Sequence, residues 1–194
     1  MLKRMRSDSV RGYQQFVFDS FKTIFGENEV EQEWNAAKNS EDDFTRELYC
    51  PRLDMAVGPF NISRNVYEDN LHISQVLDAN RNLIKKLWEA SELKGVAFAR
   101  FMEHKNGNPR CMLAIEIENS GSSKHMLGNI ANVSILGAIG IVIPFNEKKL
   151  ALCKRMKKYV TFATEVEKIH DVFKNVLIVS KEKFRKVISE TNMQ

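Results

Sequence analysis

The chain reads as an α/β domain in which a central mixed β-sheet is flanked by helices. Apolar residues recur at helical spacing near both ends of the chain and through its middle. Between these segments lie short apolar runs of strand length, above all 111–118 and 138–143, with a helical stretch separating the two. With 194 residues, 43% of them hydrophobic, the chain suits one compact domain over 1–194, carrying a helical insertion around 67–91.

Tyr13, Phe16, Val17, Phe21 and Ile24 predict an amphipathic helix over 9–25, ended by Gly26. Phe18 and Phe25 share its spacing and read as core or dimer contacts. Residues 27–38 read as a second, more polar helix and 39–43 as a loop. Leu53-Asp54-Met55-Ala56-Val57-Gly58-Pro59 reads as a short strand stopped by Gly-Pro. Residues 67–91 read as helix, with Leu71, Ser74, Val76, Leu83, Leu87 and Trp88 on its inner face. Val96, Phe98, Arg100 and Met102 alternate as in a strand, although 95–103 also suits a helix. Asn106-Gly107-Asn108-Pro109 is a turn that leads into the strand 111–118. Ser120-Gly121-Ser122-Ser123 breaks that strand and offers a hydroxyl cap to a helix over 124–136. Gly137 closes this helix. A buried strand over 138–143, a basic helix over 147–170, a strand over 176–179 and a last helix over 181–190 complete the chain.

Composition excludes several classes. No apolar run reaches the ~18 residues of a membrane span. The longest, 135–145, is interrupted by glycines. The first six residues are basic but no apolar signal core follows, so export is not expected. Cys50, Cys111 and Cys153 are odd in number and far apart, which suits reduced thiols in a cytoplasmic protein rather than zinc ligands or a disulfide frame. Residues 147–194 carry twelve Lys and Arg against six Asp and Glu, whereas 1–146 carry seventeen against nineteen. A polyanionic ligand held by the basic tail and processed at an acidic metal site fits this asymmetry, and so does a solvated lysine face.

Glu116 and Glu118 close an apolar strand. The period of two puts both carboxylates on one face and Ile115 and Ile117 on the other. Carboxylates cost free energy when they leave water unpaired, and a hard divalent cation is their natural partner. Solvent exposure or pairing with lysines would also account for two acids at a strand end.

These residues carry a resemblance to the PD-(D/E)XK, restriction-endonuclease-like nuclease superfamily. Pro51-Arg52-Leu53-Asp54 resembles a loosened form of the family's Pro-Asp lead into a strand. Ile115-Glu116-Ile117-Glu118 resembles its acid-x-lysine motif with glutamate in the lysine place, a form similar to that of a subset of type II restriction endonucleases. The resemblance covers about 47–143 and requires the helical insertion to be looped out, so that the strands of Asp54 and Glu116 become neighbours. It implies a restriction-endonuclease-like core and Mg²⁺, or Mn²⁺, held by Asp54, Glu116 and the carbonyl of Ile117. It further implies Glu118 as ligand or general base and Lys124 as a displaced motif lysine that neutralises phosphate charge. Glu47 either adds a carboxylate or is an exposed helix acid. Lys148, Lys149, Lys154, Arg155, Lys157 and Lys158 lie on one helix that suits DNA backbone or plain solvent, and Asn119, just past the acids, is a further DNA contact.

Rival chemistries lack their signatures. Gly121-Ser122-Ser123-Lys124 has no phosphate-loop spacing, and no serine sits in a Gly-x-Ser-x-Gly turn. His72, His104, His125 and His170 are scattered, though His125 lies beside Lys124. The expected function is therefore a Mg²⁺-dependent endodeoxyribonuclease, a type II restriction endonuclease acting as a homodimer on double-stranded DNA. A structure-directed repair nuclease, or a binding module of the same fold with a silent site, are the alternatives.

Overall fold

The computed structural model describes residues 9–36, 50–61, 66–167 and 173–192. Helix α1 (Val10–Phe25) begins at Ser9, whose hydroxyl accepts the Gly12 N–H at 3.0 Å. It stops at Gly26, where φ of 101° favours glycine. A 3₁₀ turn (Glu27–Glu29) then leads into strand β1 (Val30–Trp34). The polar helix expected over 27–38 is thus a 3₁₀ turn followed by a strand over 30–34. Glu and Gln favour helix locally, but pairing of Val30 with Val57 and of Trp34 with Leu53 overrides that preference. Glu31 and Glu33 suit an edge strand, where charge discourages further pairing. The loop expected at 39–43, together with Glu47 and His170, lies outside the described residues.

Strand β2 (Leu53–Phe60) runs on through Gly58-Pro59 instead of stopping there, with a register shift against its neighbour between Val57 and Phe60. The helix expected over 67–91 is two, α2 (Val66–Ala79) and α3 (Arg81–Ala90). Asn80 at the break donates its side-chain amide to the Val76 carbonyl at 2.9 Å. Ile73, Leu77, Leu83, Ile84 and Leu87 are buried, whereas Leu71, expected inside, is 49% exposed. Phe98–Glu103 forms helix α4, not a strand. Phe101 and Met102 are both buried and Phe98 packs on Trp88 at 5.8 Å, so the spacing of three and four outweighs the alternation of two. Strand β3 (Cys111–Glu118), helix α5 (Ser123–Leu136), strand β4 (Gly137–Pro144), helix α6 (Glu147–Glu165), strand β5 (Val176–Ile178) and helix α7 (Lys181–Thr191) follow the expected order.

The five strands form one mixed sheet in the order β1-β2-β3-β4-β5. The first three are antiparallel neighbours and the last three are parallel. Helices α2 to α4 are looped out between β2 and β3, which pair directly. Met55, Val57, Leu113, Ile115, Ile117, Ile139 and Ile141 build one core, with side chains of α1, α2, α3 and α7. Ala114, Val142 and Ile178 face the other, with Met126, Ile130 and Val133 of α5 and Leu150 and Cys153 of α6. Each such aliphatic side chain removed from water contributes about 1.5–3 kcal/mol. Helix α5 lies so close to β4 that a Cβ on Gly140 would stand 2.9 Å from the Val133 carbonyl oxygen, so glycine is required there. Among the described residues, no helix is long and apolar enough to cross a membrane. The three cysteines are free thiols.

Candidate active site

The antiparallel register that matches Met55 with Ile115 sets Asp54 opposite Glu116 at the end of the β2–β3 pairing. Asp54 Oδ2 accepts the Ile117 N–H at 2.8 Å, which fixes the carboxylate against β3. In an extended strand a residue's N–H and C=O leave on the same side, so the Ile117 carbonyl also faces the β2 side. Ile115 and Ile117 belong to the core on one face, and Glu116 and Glu118 turn to the other, as the period of two requires.

The two glutamates are buried, Glu116 at 5% exposure and Glu118 at 1%, but differently served. Glu118 accepts the Asn129 side-chain amide of α5 at 2.9 Å and also the Ser120 N–H. Burial pushes its pKa up, opposed by these two donors and by the Lys149 ammonium. Glu116 is surrounded by like charge. Burial first, then Asp54, Glu118 and Glu33 raise its pKa to about 9. Glu33 itself is held at the rim by Arg52, 2.7 Å away.

Among the described residues, Lys149 is the cation whose charge acts on Glu118. Strand β4 runs parallel to β3 with Pro144 beside Glu118, so the helix that follows β4 starts at the acidic end of the sheet. Asn146 caps α6 by accepting the Lys149 N–H at 3.1 Å. Helices α5 and α6 thus both begin at this edge, and their N-terminal N–H groups favour negative charge there.

Of the residues singled out in the sequence, Asp54, Glu116, Glu118 and the backbone of Ile117 come together. Lys124 is exposed in the first turn of α5 and Asn119 is exposed just after β3. On α6, Lys148, Arg155 and Lys158 are exposed and Lys149 is half-buried beside Glu118. Lys154 pairs with Glu92 at 2.9 Å, and Lys157 turns its ammonium inward onto the Val176 carbonyl. Sequence reasoning placed Lys149 among DNA contacts rather than at the acids, and passed over Asn129 and Glu33. The missed signal for Lys149 was positional, since the loops after two parallel neighbours meet at one end of the sheet.

Among the described residues, no three His, Cys, Asp or Glu side chains stand together as a ready metal cage. The donor set nevertheless suits Mg²⁺, which keeps several waters and takes one or two carboxylates, with substrate phosphate completing its shell. Two acids facing each other with no cation between them among the described residues are the charge arrangement such an ion relieves. No protein-family model, no curated protein and no solved structure matches this chain.

Proposed function

We propose that the chain is a Mg²⁺-dependent endodeoxyribonuclease with a restriction-endonuclease-like core, a type II restriction enzyme of the Glu-x-Glu kind acting as a homodimer on double-stranded DNA. The observation that carries this reading is the meeting of Asp54 and Glu116 across adjacent strands, with Glu118 on the same face. The element order gives further support. Helix α1, strand β2 with Asp54, the neighbouring strand β3 with Glu116 and Glu118, helix α5 and strand β4 run in an order compatible with such a core. Strand β1 precedes the strand of Asp54 in the chain, whereas the strand expected over 96–102 would have followed it.

Asp54, Glu116 and the Ile117 carbonyl would hold the ion. Once bound, it polarises the phosphodiester and lowers the pKa of water. Glu118, fixed by Asn129 and Ser120, is placed to orient the attacking water and take its proton. Lys149 and the N-termini of α5 and α6 offset the charge that grows on the phosphate, so Lys149 serves where the motif lysine is absent. Lys124 adds a second cation at the rim. The exposed Lys148, Arg155 and Lys158 of α6 track the DNA backbone.

Cleavage of unmethylated phage DNA with Mg²⁺ or Mn²⁺, beside an EDTA control and Glu116→Gln, tests the reading. Discrete fragments, absent from both controls, are expected. A smear lost in both controls would replace restriction with structure-directed or unspecific cutting. Intact DNA under every metal condition would overturn nuclease activity in favour of a silent binding module.

A further inference from the structure

A second concave site lies far along the sheet from the acids, beneath its β5 edge. Helices α3 and α4, the second half of α6 and strand β5 enclose a cavity of about 490 Å³, within the range of small-molecule sites. Trp88, Phe101 and Phe173 supply aromatic walls. Among the described residues the lining carries Lys157, Lys174, His104 and Arg100, which lies 3.9 Å from Glu103, together with Glu165.

Lys157 distinguishes this cavity from an ordinary packing gap. Its side chain is half-buried with the ammonium turned inward, and an ammonium has three donors. One goes to the Val176 carbonyl on the edge strand. Among the described residues no carboxylate pairs with it, unlike its neighbour Lys154, which Glu92 holds at 2.9 Å. A lysine that merely protected the open strand edge would reach into water. This one is withdrawn with donors to spare beside a void walled by rings.

We propose that this cavity binds a small organic anion with a ring-bearing apolar body, the rings lying against Trp88, Phe101 and Phe173 and the anionic end meeting Lys157 and Arg100. An inward-turned ammonium with unused donors makes charge-assisted hydrogen bonds to an oxyanion, and aromatic walls give a flat body large contact area. The proposal is independent of the nuclease reading, since it shares no residue with the acid site.

The test uses a matched pair of fluorescent probes, anionic 8-anilinonaphthalene-1-sulfonate and uncharged N-phenyl-1-naphthylamine, titrated into the full chain. Saturable binding of one sulfonate probe is expected, weakened about tenfold by Lys157→Met, while the uncharged probe is insensitive to that change. Circular dichroism and the unfolding midpoint establish that the variant is folded. Thr161→Glu provides a second arm on the exposed part of the lining and is also expected to weaken only the anionic probe. Displacement by adenosine monophosphate or by indole-3-acetate would assign the anion as phosphate or carboxylate. Absence of saturable binding, or binding of the sulfonate probe that neither variant alters, would overturn the proposal.

Discussion

Glu92 and Glu116 are both acids withdrawn from water, and the fold treats them in opposite ways. Glu92, just after α3, has a side chain 12% exposed and two lysines on it, Lys154 of α6 and Lys183 of α7, each at 2.9 Å. Burial alone would raise its pKa, but the hydrogen bonds and charge of Lys183 and Lys154 outweigh that and hold the carboxyl below its usual range. It ties three helices together around the β5 end of the sheet, where its own N–H donates to the Ile178 carbonyl at 2.8 Å. Glu116 is buried among acids instead. An acid kept in a position that costs stability is what a binding or catalytic site requires, whereas an acid matched by cations is a fastener.

The largest effect that sharpens this contrast is expected from Glu116→Gln. The amide keeps the shape but cannot ionise to take up a cation, so DNA cleavage should fall by roughly 10²–10³-fold. The same variant should be more stable than the wild type at neutral pH, by about 2 kcal/mol in urea unfolding, because the amide is spared the cost of keeping a carboxyl protonated above its ordinary pKa. A variant that loses both activity and stability would make Glu116 a structural acid like Glu92.

Glu92→Gln should act in the reverse sense, costing about 1–2 kcal/mol at pH 7 and leaving the acid site untouched. The partly exposed lysines and the solvent beside them keep this below the value for a fully buried pair. The carboxyl is depressed in the folded state, so its contribution is present above the unfolded carboxylate pKa. It is lost as pH falls through the lower folded value. Unfolding midpoints of wild type and Glu92→Gln should therefore differ at pH 7 and converge in acid. A gap that persists at low pH would mean that the variant acts through packing.

Asn129→Ala has the smallest expected effect on stability, about 1 kcal/mol, by removing one of the two hydrogen bonds that hold Glu118. Its value lies in kinetics. If Asn129 positions Glu118, kcat should drop with little change in KM for DNA, and the pH profile of kcat should shift. Equal kinetics with lowered stability would reduce Asn129 to an ordinary buried amide.

The elements legible in the sequence were those with one strong period or a sharp boundary. Helix α1, strand β3 with its acids outward from the isoleucines, helix α5 with Met126, Ile130 and Val133 inward, and strand β4 all lie where their patterns put them. Strand β1 was hidden because its middle, Glu31-Gln32-Glu33, has helical preference and its strand state exists only through β2. Helix α4 was hidden because six residues hold both periods, and burial of Phe101 beside Met102 decides between them only in three dimensions. At the site, Asp54, Glu116 and Glu118 could be named because strand parity is local information. Lys149 and Asn129 could not be assigned to the acids, because their approach depends on β4 running parallel to β3 and on α5 crossing behind. The inward turn of Lys157 was equally invisible, since a lysine in a basic run reads as surface until the strand edge behind it is known.

The proposed site stands or falls on whether Asp54 and Glu116 bind a cation rather than form a buried flaw. Mn²⁺ titration of the metal-free protein, followed by electron paramagnetic resonance and calorimetry, tests it without reference to any DNA substrate. One saturable Mn²⁺ site in the wild type, lost in both Asp54→Asn and Glu116→Gln and kept in Glu92→Gln, is the expected result. No binding in the wild type, or equal binding in all four proteins, would contradict the account.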